Sequence, residues 1–437
     1  MPEVESNLFC DWLRERATIA PNAPAIVEDD RSTSFSELFE QATALASRFV
    51  SHGIQKQDRI ALVLPKTTDA IISVFASLLA GAIYVPIHPK WPKERIETVL
   101  VDCSARLLQA SGCMWWAQRQ LRRRGAVMVL TFHRVLDDAE SRLTCSLPGI
   151  VVRRRTFESL AAYAARQYEA VDFEQAAEAG AGKLRVMFTF DDGWKDNYTN
   201  ALPVMRNCGM PATVFVCPGL IGRTLPFWPE AIASLLGEAS PPVSGAEIES
   251  LIETLKTYST ERRQQYIARL CELHAPAGGK HAYNGDRTVS WDEIREMDAA
   301  GIRVGCHTHT HQILTTVPPQ TARQEVRESK RAIEAALRRS CNLFAYPNGN
   351  TSAATRQILA EEGFTAAFTT ERGAWTSGSD PMAIPRVNVC EQSVVGLTGR
   401  FSPAMFQYNV FWKAWRALRT ERRVPAKPRR EAVLSQA

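Results

Sequence analysis

The 437-residue sequence contains ten cysteines but lacks any C-x-x-C pair. Their irregular spacing argues against a zinc ribbon or a disulfide framework, and scattered thiols are typical of a reducing compartment. The sequence also lacks an apolar run long enough to cross a bilayer, because Ser73, Ser77 and Gly81 interrupt its most apolar stretch, residues 70–86. Its acidic start, residues 1–5, differs from the basic segment that opens a secretory signal. These absences predict a cytoplasmic protein.

The composition has little excess of either charge, with a formal net charge of +5 and 23% charged residues. That balance is ordinary for a soluble globular protein, and we expect no nucleic-acid partner. Positive charge is concentrated in two places. Residues 113–124 predict a basic surface linker or a solvated helix face. The C-terminal segment 401–437 predicts a basic tail with an amphipathic helix, which is either solvated or docked, or contacts a membrane surface or an anionic polymer.

Helix and strand patterns alternate in two separate series. Residues 1–112 alternate at a pace that predicts an α/β layer. A second series fills residues 125–400, where β-rich runs are separated by helical patterns, and residues 222–288 interrupt it as a helical insertion. Such repetition indicates parallel strands joined by crossover helices, for which a barrel is the natural closure. The predicted strands of this second series are Val127–Phe132, Val186–Phe190, Ala212–Val216, Arg303–Cys306, Leu343–Tyr346 and Ala366–Thr369.

Two adjacent carboxylates, Asp191 and Asp192, directly follow the predicted strand Val186–Phe190. The carboxyl ends of parallel strands carry the functional site in barrels. Neighbouring carboxylates repel each other, and a site can relieve this repulsion by giving one to a cation while the other accepts protons. A plain Asp-Asp-Gly turn is the alternative interpretation, since both residue types are common in turns.

Three histidines, His307, His309 and His311, occur within five residues after another short predicted strand. His307 and His311 are four residues apart, so on one helical turn their imidazoles would face the same way and could bind one metal, while His309 would point elsewhere. With Asp192 they form a two-histidine, one-carboxylate set that leaves positions open for water and substrate. A metal there would lower the pKa of water and polarise a carbonyl, and Asp191 could deprotonate the attacking water. This chemistry predicts hydrolysis of an amide or ester.

Three segments, Thr189–Gly193, Gly305–His311 and Phe344–Gly349, together resemble the first three motifs of the polysaccharide deacetylase family. This family is also called the NodB-homology family or carbohydrate esterase family 4. The resemblance covers about residues 125–389. It implies a distorted (β/α) barrel, an α/β fold, and an enzyme that removes acetyl groups from an N-acetylated glycan.

The resemblance also implies roles for individual residues. Asp191 would be the general base, and Asp192, His307 and His311 would hold the metal. The backbone N–H of Tyr346 would help to hold the tetrahedral oxyanion. Zinc suits this ligand set best, although cobalt, nickel or iron could also occupy it.

Two family features are absent from their usual places. The third motif has no arginine, but Arg386 resembles the arginine that other members use to orient the base. No histidine follows His311, where the usual general acid lies. His133, in the segment Thr131–Val135, resembles the histidine of members with a permuted motif order. We therefore interpret His133 as the acid that protonates the leaving amine, the alternative being a histidine that caps a strand end.

The insertion at residues 222–288 is expected to shape the substrate groove, because insertions at the catalytic face often do so. Phe227 and Trp228 could stack on sugar rings or pack in an aromatic core. Two other functions are compatible with the same residues. One is a deacylase of a small non-sugar amide, and the other is a non-catalytic binding or scaffold protein.

The first 110 residues resemble a different family, the adenylate-forming enzymes, which include acyl-CoA ligases and peptide-synthetase adenylation domains. The matching segments are Thr33–Leu38 and Leu79–Pro89. The resemblance stops near Ser111, before the family's phosphate loop and its later aspartate and lysine motifs. Since nothing would then hold the phosphates, we expect no ATP-dependent adenylation and interpret residues 1–112 as a remnant or a docking module.

Overall fold

The computed structural model describes residues 8–29, 31–91, 93–177, 182–224, 227–237, 243–274, 287–376 and 378–421. The chain divides into two compact units, residues 1–104 and residues 105–437. No helix among the described residues is long and apolar enough to cross a membrane.

The first unit contains short strands and amphipathic helices. A capping box between Ser34 and Glu37 starts its longest internal helix, and Leu13, Leu38 and Ile72 belong to its small apolar core. Two strands pair antiparallel as β1–β2, and two pair parallel as β3–β4 with a helix between them. The bounds are α1 Leu8–Ile19, β1 Pro24–Glu28, β2 Arg31–Ser34, α2 Phe35–Ser51, β3 Arg59–Val63, α3 Thr68–Leu79, β4 Ile83–Ile87 and α4 Lys93–Ala110, the last of which crosses the boundary between the units.

The second unit contains the remaining strands and helices. Its strands are β5 Val127–Phe132, β6 Arg134–Leu136, β7 Val151–Arg153, β8 Glu169–Ala170, β9 Arg185–Phe190, β10 Ala212–Val216, β11 Arg303–Cys306, β12 Leu343–Ala345, β13 Ala366–Phe368 and β14 Val387–Asn388. Its helices are α5 Cys113–Arg123, α6 Glu140–Leu143, α7 Arg154–Gln167, α8 Phe173–Ala177, α9 Leu202–Asn207, α10 Trp228–Gly237, α11 Gly245–Lys256, α12 Thr260–His274, α13 Trp291–Ala299, α14 Pro319–Leu337, α15 Ala353–Glu361, α16 Glu391–Val394, α17 Pro403–Gln407 and α18 Lys413–Glu421.

A parallel sheet organises this unit, in the order β13-β12-β11-β10-β9-β5-β14, with β8 also pairing to β9. A bridge between Phe368 and Ile384 links β13 to the segment just before β14, so the ladder nearly closes into a ring. The predicted α/β fold, a distorted (β/α) barrel, is therefore confirmed. Because all these strands run the same way, their carboxyl ends meet at one edge.

The central strands β5 and β9 are buried along their whole length, as expected for parallel strands covered on both faces. Phe132 on β5 stacks on Phe188 and Phe190 of β9, with ring centroids 5.3 and 5.4 Å apart. Phe157 of α7 packs edge-on against the same rings. This aromatic cluster holds the end of β9, where the two aspartates lie.

Of the two interpretations of residues 113–124, a basic linker and a solvated helix face, the structure has the second, because Cys113–Arg123 is helix α5. Met114, Ala117 and Leu121 recur at helical spacing and are buried, while the arginines lie on the outer face. The segment after residue 400 also packs into the barrel core, through Phe406 and Phe411 among others. The basic residues Arg422, Arg423, Lys427, Arg429 and Arg430 lie outside the described residues.

Candidate active site

The turn after β9 presents the two aspartates in different directions. Asp192 has a φ of +73° and Gly193 a φ of +70°, a left-handed conformation that favours glycine. A Cβ on Gly193 would come within 2.9 Å of Val216 Cγ1, so a larger residue would also clash with the neighbouring strand β10. The glycine of the motif therefore permits both the reversal and the close approach.

Asp192, His307 and His311 form one compact group. The Oδ1 atom of Asp192 lies 3.4 Å from His307 Nε2 and 3.3 Å from His311 Nε2, and all three ligand atoms lie within 4.8 Å of one another. His307 Nδ1 hydrogen-bonds the Ala345 carbonyl at 2.8 Å, an outer contact that orients Nε2 towards a metal. Trp194 Nε1–H donates to the other Asp192 oxygen at 3.0 Å. Donor type, spacing and orientation all fit a divalent metal such as zinc.

The path of the histidine segment differs from the predicted helical turn. Thr308 and His311 both have a φ of +61°, and residues 307–311 form an irregular loop after β11. The two imidazoles converge because the chain reverses twice, not because they share a helix face. His309 lies apart from the group, with its Nε2 4.0 Å from Glu328.

The electrostatics of the group favour a charged carboxylate. Burial alone would raise the pKa of Asp192, but hydrogen bonds from His307 and His311 outweigh it and hold that pKa well below its ordinary range. Burial opposes the charged form of His307, yet its hydrogen bond to Asp192 raises the pKa of the ring.

Asp191 is held by a different partner. Both its oxygens accept hydrogen bonds from Arg386, at 2.8 Å from Nη1 and 2.7 Å from Nη2, and both side chains are almost fully buried. Arg386 Nε donates to the Thr369 carbonyl at 2.8 Å, which fixes the guanidinium plane. Burial would raise the pKa of Asp191, but the charge of Arg386 outweighs it, so the pKa is lowered. This geometry suits a carboxylate kept deprotonated and aimed at one place.

His133 follows β5 at the same edge of the sheet. Its Nε2 lies 4.0 Å from Asp191 Oδ2, and its Nδ1 is buried without a hydrogen-bond partner. Burial lowers the pKa of His133 despite the neighbouring carboxylates Asp192 and Asp191. Burial therefore favours the neutral form of the His133 ring.

The backbone of Tyr346 contradicts its predicted role as an oxyanion donor. Its N–H already donates to the Phe368 carbonyl at 3.0 Å, as part of the pairing between β12 and β13. Its hydroxyl donates to the Met382 carbonyl at 3.0 Å, and burial raises its pKa to about 12. Asn348, two residues later in the same motif and with a φ of +59°, lines the cavity instead.

A cavity of about 290 Å³ contains Asp191, Asp192, His133, His307 and His311. The insertion forms part of its wall, as predicted for a groove-shaping segment. Phe227 is buried and packs against Trp194, and it also lines the cavity beside His311, with the two ring centroids 4.9 Å apart. Four polar residues for which the sequence predicts no role also line the cavity: Thr131, Asn348, Thr370 and Asn388.

Family comparisons identify both parts of the chain. Residues 179–367 match the family model described as polysaccharide deacetylase, and residues 13–180 match the one described as AMP-binding enzyme. The chain therefore carries a polysaccharide deacetylase domain, preceded by an AMP-binding fragment. The second match extends beyond Ser111, where we expected it to end, and overlaps strand β5. His133 and Arg386 lie outside the deacetylase match, so the barrel geometry is what brings them to the site.

Peptide synthetases are among the curated relatives that match. Surfactin synthase subunit 3 of Bacillus subtilis (strain 168) is 35% identical over 97 residues, which are 22% of this chain and 8% of that protein. Gramicidin S synthase 1 of Brevibacillus brevis is 38% identical over 94 residues, again 22% of this chain and 9% of that protein. The chain thus spans less than a tenth of the length of these two relatives.

Solved deacetylase structures align with a larger share of the chain. The Streptococcus pyogenes deacetylase PplD in complex with acetate is 18% identical, with a TM-score of 0.45, and the alignment covers 65% of this chain and 98% of PplD. IcaB from Ammonifex degensii is 22% identical, with a TM-score of 0.42, and the alignment covers 61% of this chain and 93% of IcaB.

Proposed function

We propose that the second unit is a metal-dependent hydrolase that removes N-acetyl groups from an N-acetylated poly- or oligosaccharide. One observation carries this proposal: the two adjacent aspartates have separate partners inside one cavity. Asp191 is paired with Arg386, whereas Asp192 is grouped with His307 and His311. A structural turn has no need for this division, but water activation beside a metal requires it.

Asp192, His307 and His311 would hold a divalent metal, with zinc the best match to the donor set and cobalt, nickel or iron as other occupants. Such a metal supplies Lewis acidity towards the amide carbonyl and lowers the pKa of water. The buried position of the group keeps competing water away, and the bond from His307 to Ala345 keeps its ring in place.

Asp191 takes a proton from the water that attacks the amide carbon, and Arg386 keeps it charged until then. The C–N bond then breaks, the acetyl group leaves as acetic acid, and the amine nitrogen gains a proton. His133, whose Nε2 lies 4.0 Å from Asp191 Oδ2, receives the proton that Asp191 took from the water and passes it to the amine nitrogen, so that Asp191 is a carboxylate again. The second proton of the water leaves with the acetic acid, which ionises in solution. For the oxyanion donor we propose the backbone N–H of Asn348 in place of that of Tyr346.

The first unit does not adenylate in this proposal. Its residues match the AMP-binding family, but that family's phosphate loop is not recognisable in the sequence, so we expect no ATP-dependent adenylation. We propose that it serves as a docking module without ATP chemistry.

The basic C-terminal segment is proposed to contact an anionic membrane surface. Helix α18 packs on α5 through Trp415 and Trp116, whose ring centroids are 4.8 Å apart, and α5 exposes Arg119 and Arg122 beside exposed Trp115. Tryptophan and arginine together suit the lipid interface. Co-sedimentation with anionic vesicles but not with zwitterionic ones, lost at high salt, is expected. Binding to an anionic polymer in place of vesicles would contradict the membrane assignment.

The decisive experiment measures acetate release from N-acetylated oligosaccharides by the chelated full chain before and after zinc is added back. Release that depends on metal, and loss of both metal and release in Asp192→Ala, are expected. Release only from small non-sugar amides would favour a different deacylase. A folded chain that binds no metal would favour a scaffold and overturn the proposal.

A further inference from the structure

The cavity has two chemically different sides. The polar side carries the metal group, Asp191, His133 and the hydrogen-bonding residues Thr131, Asn348, Thr370 and Asn388. Another part of the wall consists largely of hydrocarbon. It is formed by the segment after β6, by the insertion and by the loop before α14, through Leu147, Ile150, Trp228, Pro229, Ile252 and Ile313.

This wall is a built surface, because it is backed by a packed cluster. Ile252 is fully buried in the insertion's own core, which also contains Ile232, Leu236, Ile248 and Leu255, and Leu147 and Trp228 pack against that core. Phe227 continues the apolar surface as far as the ring of His311. The wall is therefore fixed in place beside the metal group.

The two charged residues on this side do not require a charged ligand. Glu230 is buried and accepts a hydrogen bond from Ser146 Oγ at 3.4 Å, and Lys256 is ion-paired with Glu253 at 2.6 Å. Sugar hydroxyls placed against the remaining wall would lose their hydrogen bonds to water without gaining new ones, which costs free energy. A hydrocarbon group would gain from burial in the same place.

We infer that the cavity contains an apolar subsite, and that the substrate is an N-acylated sugar bearing a hydrocarbon substituent. This inference rests on the proposed deacylase function of the same cavity. The sugar occupies the polar side, and the substituent lies against the partly exposed side chains of Leu147, Ile150 and Trp228. The hydrocarbon has two sources in such a substrate: an aglycone on the sugar, or an acyl chain longer than acetyl.

Calorimetric titration of the full chain with two ligand series distinguishes these sources. One series has methyl, butyl and hexyl glycosides of N-acetylglucosamine, and the other has methyl glycosides with acetyl, butanoyl and hexanoyl amides. All are used below micelle concentrations on chelated protein, so that no turnover occurs. If the hydrocarbon is an aglycone, Kd falls about fourfold per added buried methylene in the glycoside series and is constant in the amide series. If it is an acyl chain, the amide series shows the fall and the glycoside series is constant.

Ile150→Ser should remove most of this chain-length dependence while leaving Kd for the methyl glycoside of N-acetylglucosamine within about twofold, because that ligand lies on the polar side. Ile150 does not belong to the insertion cluster, and an unchanged Tm checks that the variant is folded. Leu143→Ser, at an exposed leucine of the same outer region, is the matched control and should change nothing.

A Kd independent of chain length in both series would overturn the subsite. So would an unchanged dependence in folded Ile150→Ser. Acetate release from the methyl glycoside by zinc-loaded protein tests the proposed function separately. If acetate is released but Kd does not depend on chain length, the deacetylase proposal stands and the apolar subsite is wrong. If Kd depends on chain length but no acetate is released, the subsite stands and the deacetylase proposal is wrong.

Discussion

The barrel unit and the first unit place their polar side chains in different ways. In the barrel, Asp191, Asp192, His307 and Arg386 are buried and converge on one cavity. In the first unit, buried Ser73 and Ser77 each donate to a helix carbonyl one turn earlier, as serines in helices commonly do. Among the residues that the structure describes, Asp192, His307 and His311 are the group spaced to share a metal.

The two units also differ in how completely they bury their apolar side chains. The barrel buries whole strands, whereas the first unit has a small core and leaves large apolar side chains exposed, among them Phe9, Ile19 and Val27. Both units match enzyme families by sequence. The difference teaches that a family match indicates chemistry only where the side chains that perform it are present and brought together.

The largest effect that tests the contrast between the two units is expected when the proposed general base, Asp191, is replaced. Asp191→Asn removes the proton acceptor but none of the proposed metal ligands. We expect kcat for acetate release to fall by roughly a thousandfold or more, with metal content unchanged. Metal content by mass spectrometry and acetate release are the two readouts. Loss of metal from Asp191→Asn would contradict the separate roles of the two aspartates.

The next effect is expected at His133. His133→Gln keeps a polar side chain in the cavity but cannot transfer a proton, so we expect kcat to fall about a hundredfold. His309→Gln is the matched control, because His309 lies beside Glu328 and should leave kcat within about twofold. Equal rates for both variants would mean that the acid is another group.

Much of the barrel could be predicted from the sequence. Continuous apolar runs in β5, β9 and β10 identify buried parallel strands, and the residue pairs at their ends identify the functional edge. The spacing of His307 and His311 predicts that the two rings meet on a helical turn. They do meet, but residues 307–311 form a loop. The types and sequence spacing of these residues therefore predict the metal group, whereas the helical turn expected from that spacing is not formed.

Long-range backbone pairing could not be predicted. The Tyr346 N–H is occupied because β13 pairs with β12, and Asn348 reaches the cavity because of its left-handed φ. Neither fact is visible in the local sequence. The basic residues of 113–124 fit either a linker or a solvated helix face, and the helical spacing of the buried residues Met114, Ala117 and Leu121 distinguishes the two in favour of helix α5.

A smaller effect is expected from the partner of the base. Arg386→Lys replaces two parallel hydrogen bonds to Asp191 by one point charge, so the lowered pKa of Asp191 should rise. The base must be deprotonated to act. Activity should therefore be lost at a higher pH as the solution is acidified, and the acid limb of the kcat/KM profile should move up by about one pH unit.

The pH dependence of the free energy of unfolding should also reflect the lowered pKa of Asp191. A lowered pKa of Asp191 stabilises the native state above its ordinary value of 3.8, and this contribution is lost as pH falls below that value. Arg386→Lys should weaken this dependence. Arg356→Lys, in a half-exposed pair with Asp380, is the matched control. An unshifted acid limb in Arg386→Lys would remove Arg386 from the mechanism.

The smallest effect compares one structural device in both units. Ser34 starts α2 and Ser290 starts α13, each through a capping box in which the serine oxygen accepts a backbone N–H at 3.3 Å. Ser34→Ala and Ser290→Ala should each lower the free energy of unfolding by about 1 kcal/mol in denaturant titrations.

Of these two serines, only Ser290 adjoins the site, since Val289 N–H donates to the Gly193 carbonyl in the aspartate turn. Ser290→Ala should therefore weaken zinc retention slightly while Ser34→Ala leaves it unchanged. Equal loss of zinc in both variants would mean that the first unit supports the catalytic turn, and the contrast between the units would then fail.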